Sequence, residues 1–260
     1  MRENTTKRAL QQGEVVLGTM VSAVGTPEIA PMLAAAGYQF IIVDGEHSNF
    51  GLDIVADIAL AAKSTPITVL MRVPGHEAHH LYRPLDCGLE GLLVPHVDTP
   101  EQARAIARAT KYAPLGERSV ALRRVHASYA PGEPAAYMAH ANQETLIIAQ
   151  IESGQALDNL DGICAVPGIE AALIGPNDLA QSLGIPSAGV RHQQIQDAVH
   201  RVVAACQRHG IAPGIHVTNR DDAEFCLRAG MKLLIYGNDI GLILDGGKRA
   251  LAELRGLLGE

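Results

Sequence analysis

The sequence predicts a single (β/α)8 barrel over residues 1–260, and three observations carry that expectation. Short apolar, β-rich runs alternate with Ala-rich helical stretches along the whole chain, as in a parallel sheet with helices on its outside. Eight such alternations fit into 260 residues, the usual span of a closed barrel of this kind. Residues able to do chemistry cluster where the runs end, whereas their starts show no such concentration. An open doubly wound sheet is the alternative, but no GxGxxG follows its first run to support it.

The first strand is expected at Val15–Val21. Thr26-Pro27-Glu28 then offers a Thr N-cap and a Pro at the first helical position, ahead of a helix at Ala30–Ala36. The second strand, Gln39–Val43, contains the unbroken run Phe40-Ile41-Ile42-Val43, which a sheet covered on both faces requires. A helix at Leu52–Lys63 follows it. The third strand, Ile67–Met71, leads to a helix at Ala78–Cys87. The fourth, Gly91–Pro95, leads to a second Thr-Pro-Glu start and a helix at Glu101–Thr110. There Ala103, Ile106, Ala107 and Thr110 share one stripe. Ala113–Pro134 is richer in Pro and Gly and reads as a loop on the barrel mouth, not a domain boundary. After a helix at Glu133–Gln143, the fifth strand is Thr145–Ile151 with a helix at Gly154–Ala165. The sixth is Ala171–Ile174, with the next helix at His192–His209. The seventh is Ile211–His216 with a helix at Arg220–Arg228. The eighth is Lys232–Tyr236, and Asp239–Leu258 closes the chain. Asp245-Gly246-Gly247-Lys248 is expected to break that last helix rather than to form a phosphate nest.

Composition removes several functions. With 47% hydrophobic and 19% charged residues, the chain can build a large core and is not disordered. Lys and Arg number 21 against 28 Asp and Glu, which argues against a nucleic-acid footprint. No Trp and only 3% aromatics leave no platform for stacking bases. No apolar run is long enough to cross a bilayer, so no membrane partner is expected. The polar start, Met1 to Lys7, lacks the apolar core of a signal peptide. Cys87, Cys164, Cys206 and Cys226 stand far apart without CxxC spacing, which fits reduced thiols in a cytoplasmic protein.

In a barrel, function belongs at the carboxyl ends of the strands. There the second strand runs into Asp44-Gly45-Glu46-His47, the third into Arg72 and the fourth into His96. The fifth ends Gln150-Ile151-Glu152, the sixth Gly175-Pro176-Asn177-Asp178, and the seventh His216. Glu152 and Asp178 end neighbouring strands, and two carboxylates with waters and a chelating substrate suit Mg²⁺ or Mn²⁺. Either could instead be a helix N-cap. The Arg72 guanidinium can hold a planar carboxylate or enolate in a fork that Lys cannot copy, or can pair structurally with Asp44 or Glu46. His47 is a candidate general base. His76, His79 and His80 read as a solvated helix entrance, since no acidic or Cys partner completes a site nearby. The five lysines are Lys7, Lys63, Lys111, Lys232 and Lys248, and none closes a strand, which disfavours a Schiff-base mechanism.

Several segments together resemble the HpcH/HpaI family of class II pyruvate aldolases. They are Ile42-Val43-Asp44-Gly45-Glu46-His47, Met71-Arg72-Val73-Pro74, Leu85-Asp86-Cys87-Gly88, Leu93-Val94-Pro95, Gln150-Ile151-Glu152-Ser153 and Ile174-Gly175-Pro176-Asn177-Asp178-Leu179. The resemblance covers almost the whole chain, in order. It implies a barrel assembled as a homo-hexamer of dimers that exchange their last helix. It implies Mg²⁺, Mn²⁺ or Co²⁺ on Glu152 and Asp178, with pyruvate chelated beside Gly175 and Pro176. By the same resemblance Arg72 contacts the keto or enolate oxygen, Gln150 orients the metal site, His47 with Asp44 forms the base, and Asp86 reaches a neighbouring subunit's site. The chain departs from the family at Thr19, where a Trp is frequent, at Ser119, where Gly is frequent, and at His216, where an aliphatic residue is usual.

The resulting expectation is an aldolase that reversibly cleaves a 4-hydroxy-2-oxo acid to pyruvate and an aldehyde through a metal-stabilised enolate. His216 at the mouth favours a polar aldehyde, unless its ring is hydrogen-bonded within the barrel wall. Two alternatives stand beside it. One is an acyl-CoA lyase of the citramalyl or malyl type, which would use Arg123 and Arg124 for phosphates. The other is a catalytically silent sugar-acid binding protein on the same fold.

Overall fold

Eight parallel strands follow one another around a closed barrel in the computed structural model, which describes residues 1–258. Residues 259–260 of the expected 1–260 domain lie outside the described residues. The strands are β1 (Val16–Val21), β2 (Phe40–Asp44), β3 (Thr68–Arg72), β4 (Gly91–Val94), β5 (Leu146–Ile151), β6 (Ala171–Ile174), β7 (Ala212–Val217) and β8 (Leu233–Asn238). Each pairs with the next, and β8 closes on β1. The barrel expected from the sequence is therefore present, and the open sheet is not.

Alternation along each strand builds two cores. One parity, including Val16, Met20, Phe40, Ile42, Leu70, Leu93, Ile148, Leu173 and Ile235, fills the barrel. The other, including Val21, Ile41, Val43, Val69, Leu92, Ile147 and Ile174, packs outward beneath the helices. Burial of both parities is why the strands read as continuous apolar runs.

The helices are α1 (Thr5–Gln11), α2 (Ile29–Ala35), α3 (Leu52–Ala62), α4 (Ala78–Asp86), α5 (Pro100–Thr110), α6 (Pro134–Glu144), α7 (Gly154–Asp158), α8 (Leu160–Cys164), α9 (Pro176–Ser182), α10 (Gln193–His209), α11 (Arg220–Ala229) and α12 (Asp239–Leu258). Thr99 caps α5 in a full capping box with Gln102, and Pro100 takes the first position. Five readings change. The stretch Ala113–Pro134 lies not on the mouth but at the amino end of the barrel, between the end of α5 and the start of α6, where Lys63 donates to the Val125 carbonyl. α1 and α9 were not foreseen. The helix expected at Gly154–Ala165 is two, interrupted at Asn159, whose amide turns to donate to the Asp98 carbonyl. Asp245-Gly246-Gly247-Lys248 does not break α12, which runs through it unbroken. Among the described residues no helix is long and apolar enough to cross a membrane.

The amino ends of the strands also differ from expectation, because they carry a dense polar plug. Glu90, Thr145 and Glu170 each stand one residue before β4, β5 or β6. Lys7 and Lys111 both donate to the Thr145 carbonyl at 2.7 Å and both pair with Glu170. Arg2 pairs with Glu90 and donates to the carbonyls of Ala62 and Thr65. Burial pushes the Lys111 ammonium down to about 8, against the pull of Glu170. These partners lie up to 163 residues apart in sequence, so local pattern does not reveal them.

Candidate active site

Strand parity and register build the mouth. Arg72 continues the inward series Thr68, Leu70, and Asp44 continues Phe40, Ile42. The β2–β3 register sets Asp44 directly opposite Arg72. Arg72 then donates through Nε to Asp44 Oδ1 at 2.9 Å and through Nη2 to Oδ2 at 2.7 Å. Its Nη1 lies 3.1 Å from Glu46 Oε2. The structural pairing weighed in the sequence is thus real. It commits two guanidinium N–H groups to hydrogen bonds with Asp44 and one edge of the group to an ion pair with Glu46, and leaves other N–H groups for a ligand. Although burial opposes it, this pairing holds Arg72 charged, and the same guanidinium keeps Asp44 below the usual carboxylate range.

Gln150 and Glu152 extend the inward parity of β5. Glu152 Oε1 accepts from the His96 backbone N–H at 2.7 Å, while its Oε2 accepts from the Gln150 amide. The Gln150 Oε1 atom is buried without a hydrogen-bond partner. Gly175 is required here by close approach, since a Cβ at that position would stand 2.5 Å from Glu152 Oε2. A small cavity of about 50 Å³ is lined by Met20, Arg72, Gln150, Gly175, Asp178 and His216, together with Pro176. Thr19, by contrast, turns away from the barrel interior and donates to the Tyr236 carbonyl. The cavity-lining residue of β1 is Met20.

Burial raises the Glu152 carboxyl, and the nearby Asp178 and Glu46 carboxylates act in the same direction, partly offset by His96. No set of three or more His, Cys, Asp or Glu is disposed as a metal cage among the described residues. A hard divalent ion fits this arrangement in another way, on the two carboxylates with water or substrate oxygens for its other positions. Such an ion would offset the crowded negative charge, and its water would supply the donor that Gln150 Oε1 lacks.

His47 stands on the rim with its ring 65% exposed and Nε2 3.9 Å from Glu46. Its ring is not brought to Asp44. Asp44 instead accepts from the backbone N–H groups of Glu46 and His47, fixing the turn. The His216 ring lines the cavity but its Nε2 is hydrogen-bonded to the Gly237 carbonyl at 3.0 Å. Asp86, at the end of α4, is not at the mouth; Arg118 donates to it at 2.5 Å. Arg123 and Arg124 are exposed, and Arg124 lines a groove with Arg83, Asp86 and Tyr129. His76 bonds the Pro95 carbonyl, and His80 does have an acidic partner nearby, contrary to expectation, since it pairs with Glu77; no metal cage forms there among the described residues.

Two residues of the cluster had no catalytic or binding role assigned from sequence. Glu46 is flanked by Arg72, His47 and His96, and His96 touches both Glu152 and Glu46. Their place at strand ends was the available signal, but only the fold shows what they join.

A family model described as HpcH/HpaI aldolase/citrate lyase matches residues 19–245. A 4-hydroxy-2-oxovalerate aldolase from Novosphingobium aromaticivorans is 41% identical over 212 residues, covering 80% of this chain and 79% of the relative. A 2-keto-3-deoxy-L-rhamnonate aldolase from Escherichia coli K12 is 36% identical, covering 97% and 93%. The crystal structure of an HpcH/HpaI aldolase from Desulfitobacterium hafniense DCB-2 superimposes with a TM-score of 0.90 at 30% identity, covering 96% of each chain.

Proposed function

The chain belongs to the HpcH/HpaI aldolase/citrate lyase family and is an aldolase, a carbon–carbon lyase; from this premise we propose that it reversibly cleaves a 4-hydroxy-2-oxo acid to pyruvate and an aldehyde with a divalent metal ion. The observation that carries the reading is the convergence of Arg72, Gln150, Gly175, Asp178 and His216 on one cavity at the strands' carboxyl ends, with Glu152 bonded to its Gln150. The two relatives named above act on 2-oxo acids, which supports the substrate class.

Glu152 and Asp178 would hold Mg²⁺, Mn²⁺ or Co²⁺. When bound, such an ion supplies Lewis acidity to the 2-oxo group. Arg72 offers its remaining N–H groups to the oxygen that gains charge as the C3–C4 bond breaks, while Asp44 and Glu46 keep the guanidinium from turning. His47, exposed on the rim, takes the proton of the 4-hydroxyl as the aldehyde forms, and the bond's electron pair passes to the pyruvate enolate. Return of a proton to C3 completes pyruvate. Met20 and His216 face the remaining volume and bear on the aldehyde.

A homo-hexamer in a cytoplasmic setting belongs to the same reading. It is supported by the exposed apolar stripe of α12, and by four cysteines that stand as thiols, three of them buried. Activity should disappear in excess EDTA and return with Mg²⁺, Mn²⁺ or Co²⁺ when pyruvate release is followed across a panel of 4-hydroxy-2-oxo acids. Full activity in EDTA, or covalent trapping of pyruvate by borohydride, would sink the proposal. The latter is not expected, since Lys7 and Lys111 lie at the opposite end of the barrel.

A further inference from the structure

β4 ends at Val94, and Pro95 and His96 carry the chain out over the mouth. His96 has φ of +53°, a left-handed conformation that a residue with a Cβ keeps only where its surroundings hold it. What holds it is visible. The backbone N–H donates to Glu152 Oε1 at 2.7 Å, and the ring's Nδ1 lies 3.1 Å from the same oxygen. The ring's Nε2 lies 3.4 Å from Glu46 Oε1, and Glu46 Oε2 meets Arg72.

An ionised carboxylate offers about four lone-pair directions. Glu152 accepts two hydrogen bonds, from the His96 backbone N–H and the Gln150 amide, and the His96 ring lies against the same Oε1, so three contacts hold the carboxylate's orientation while lone-pair directions stay open for an ion. The other face of the ring links Glu152 to Glu46 and so to Arg72. We infer that His96 is a positioning residue, whose ring fixes the aim of the Glu152 carboxylate and so sets how tightly the mouth binds a divalent ion. The inference rests on the metal reading given above, and it goes further by assigning that affinity to a residue outside the two carboxylates.

Three variants of the whole chain test it, with Mn²⁺ as the probe and its dissociation constant measured directly from the electron paramagnetic resonance of free Mn²⁺. His96→Gly keeps the backbone donor and suits the left-handed backbone, so it removes only the ring and should not cost thermal stability. His96→Asn also tolerates this backbone and places an amide where Nδ1 stood. Glu152→Ala is the control for the metal site. The expected result is loss of Mn²⁺ binding in Glu152→Ala, about 10-fold weaker binding in His96→Gly, the size usual for a lost ligand-orienting contact, and near-normal binding in His96→Asn. At saturating Mn²⁺ the kcat of His96→Gly should approach that of the parent. Binding in His96→Gly as tight as in the parent would overturn the inference while leaving the metal reading intact. So would binding in His96→Asn as weak as in His96→Gly, or a kcat loss in His96→Gly that saturating Mn²⁺ does not restore. Undiminished binding in Glu152→Ala would overturn the metal reading itself.

Discussion

Arg72 is held on two sides before any substrate arrives, and that restraint sets what a substitution should do. Lys keeps the charge but cannot span Asp44 and Glu46 while still presenting a fixed fork of N–H groups to a ligand. Arg72→Lys should lower kcat by roughly 10²-fold or more, the size seen when an oxyanion donor is lost. A change confined to KM would instead show that Arg72 only binds the ground state. His216 makes a second residue-level case. Burial is the main reason its ring titrates below the ordinary histidine value, with Arg72 acting the same way and the Gly237 hydrogen bond opposing. The unfolded chain therefore takes up this proton first as pH falls. The stability from a neutral His216 is full above the unfolded value near 6.5 and is lost as pH falls through the window below it. Urea unfolding from pH 7.5 to 5 should show that decline, and a smaller one in His216→Gln, which keeps a donor for Gly237. Equal declines would mean that His216 is charged inside the fold. Residue identity at strand ends made Arg72, Glu152 and Asp178 legible in the sequence, because parity and topology follow from local pattern. Asp44 pairing with Arg72 rather than with the His47 ring stood in the sequence only as one of two alternatives, since the β2–β3 register decides between them.

Elements differ in how openly their sequence declares them. β2, β5 and β8 carry uninterrupted apolar runs, and α5 carries a Thr-Pro start, so all were readable. α1 was missed because only seven polar-flanked residues form it, and its order comes from Asn4 reaching Glu90 and Glu144 across the barrel floor. α9 was missed because Gly175-Pro176-Asn177-Asp178 reads as a strand end, yet Pro176 is also the first residue of a helix. α12 presents the reverse problem. Gly246 and Gly247 predict a break, since each costs about 1 kcal/mol in a helix interior, but the helix is continuous. Ile240, Ile243, Leu244, Leu251, Leu254 and Leu258 recur on one stripe, and all are exposed. A long, glycine-containing helix with its apolar stripe in water calls for a covering partner, and a second copy of this chain, as proposed above, would meet that need. Light scattering after gel filtration should therefore give a multiple of 27.5 kDa. Leu251→Glu with Leu254→Glu should shift the particle to a smaller species with unchanged circular dichroism of the barrel. A parent chain that elutes as a monomer would refute this account of α12.

At the scale of the molecule, the barrel separates two tasks along its axis. Its amino end is closed by the plug of Arg2, Lys7, Lys111, Glu90 and Glu170, and its carboxyl end is left open for chemistry. This division makes Asp86 the most informative residue for the assembly. α4 follows β3 and runs back toward the start of β4, so its last residue, Asp86, is carried away from the mouth of its own barrel. There it pairs with Arg118, whose guanidinium stacks over Tyr112 at 4.7 Å. Any catalytic part played by Asp86 must therefore be played in a neighbouring subunit. Removing the carboxylate could also act simply by stranding the buried Arg118 charge, a loss of about 3–5 kcal/mol for a broken buried pair. Asp86→Asn keeps a hydrogen-bond acceptor for Arg118, and its melting temperature should lie closer to that of the parent than the Asp86→Ala value. If Asp86 works across an interface, oligomers mixed from inactive Asp86→Asn and inactive Glu152→Ala chains contain some mouths with both residues intact. Those mouths should restore part of the pyruvate release, in proportion to the fraction of mixed interfaces. Full activity in Asp86→Asn alone would reject a catalytic role, and no recovery after mass spectrometry has shown that subunits exchanged would reject action in trans.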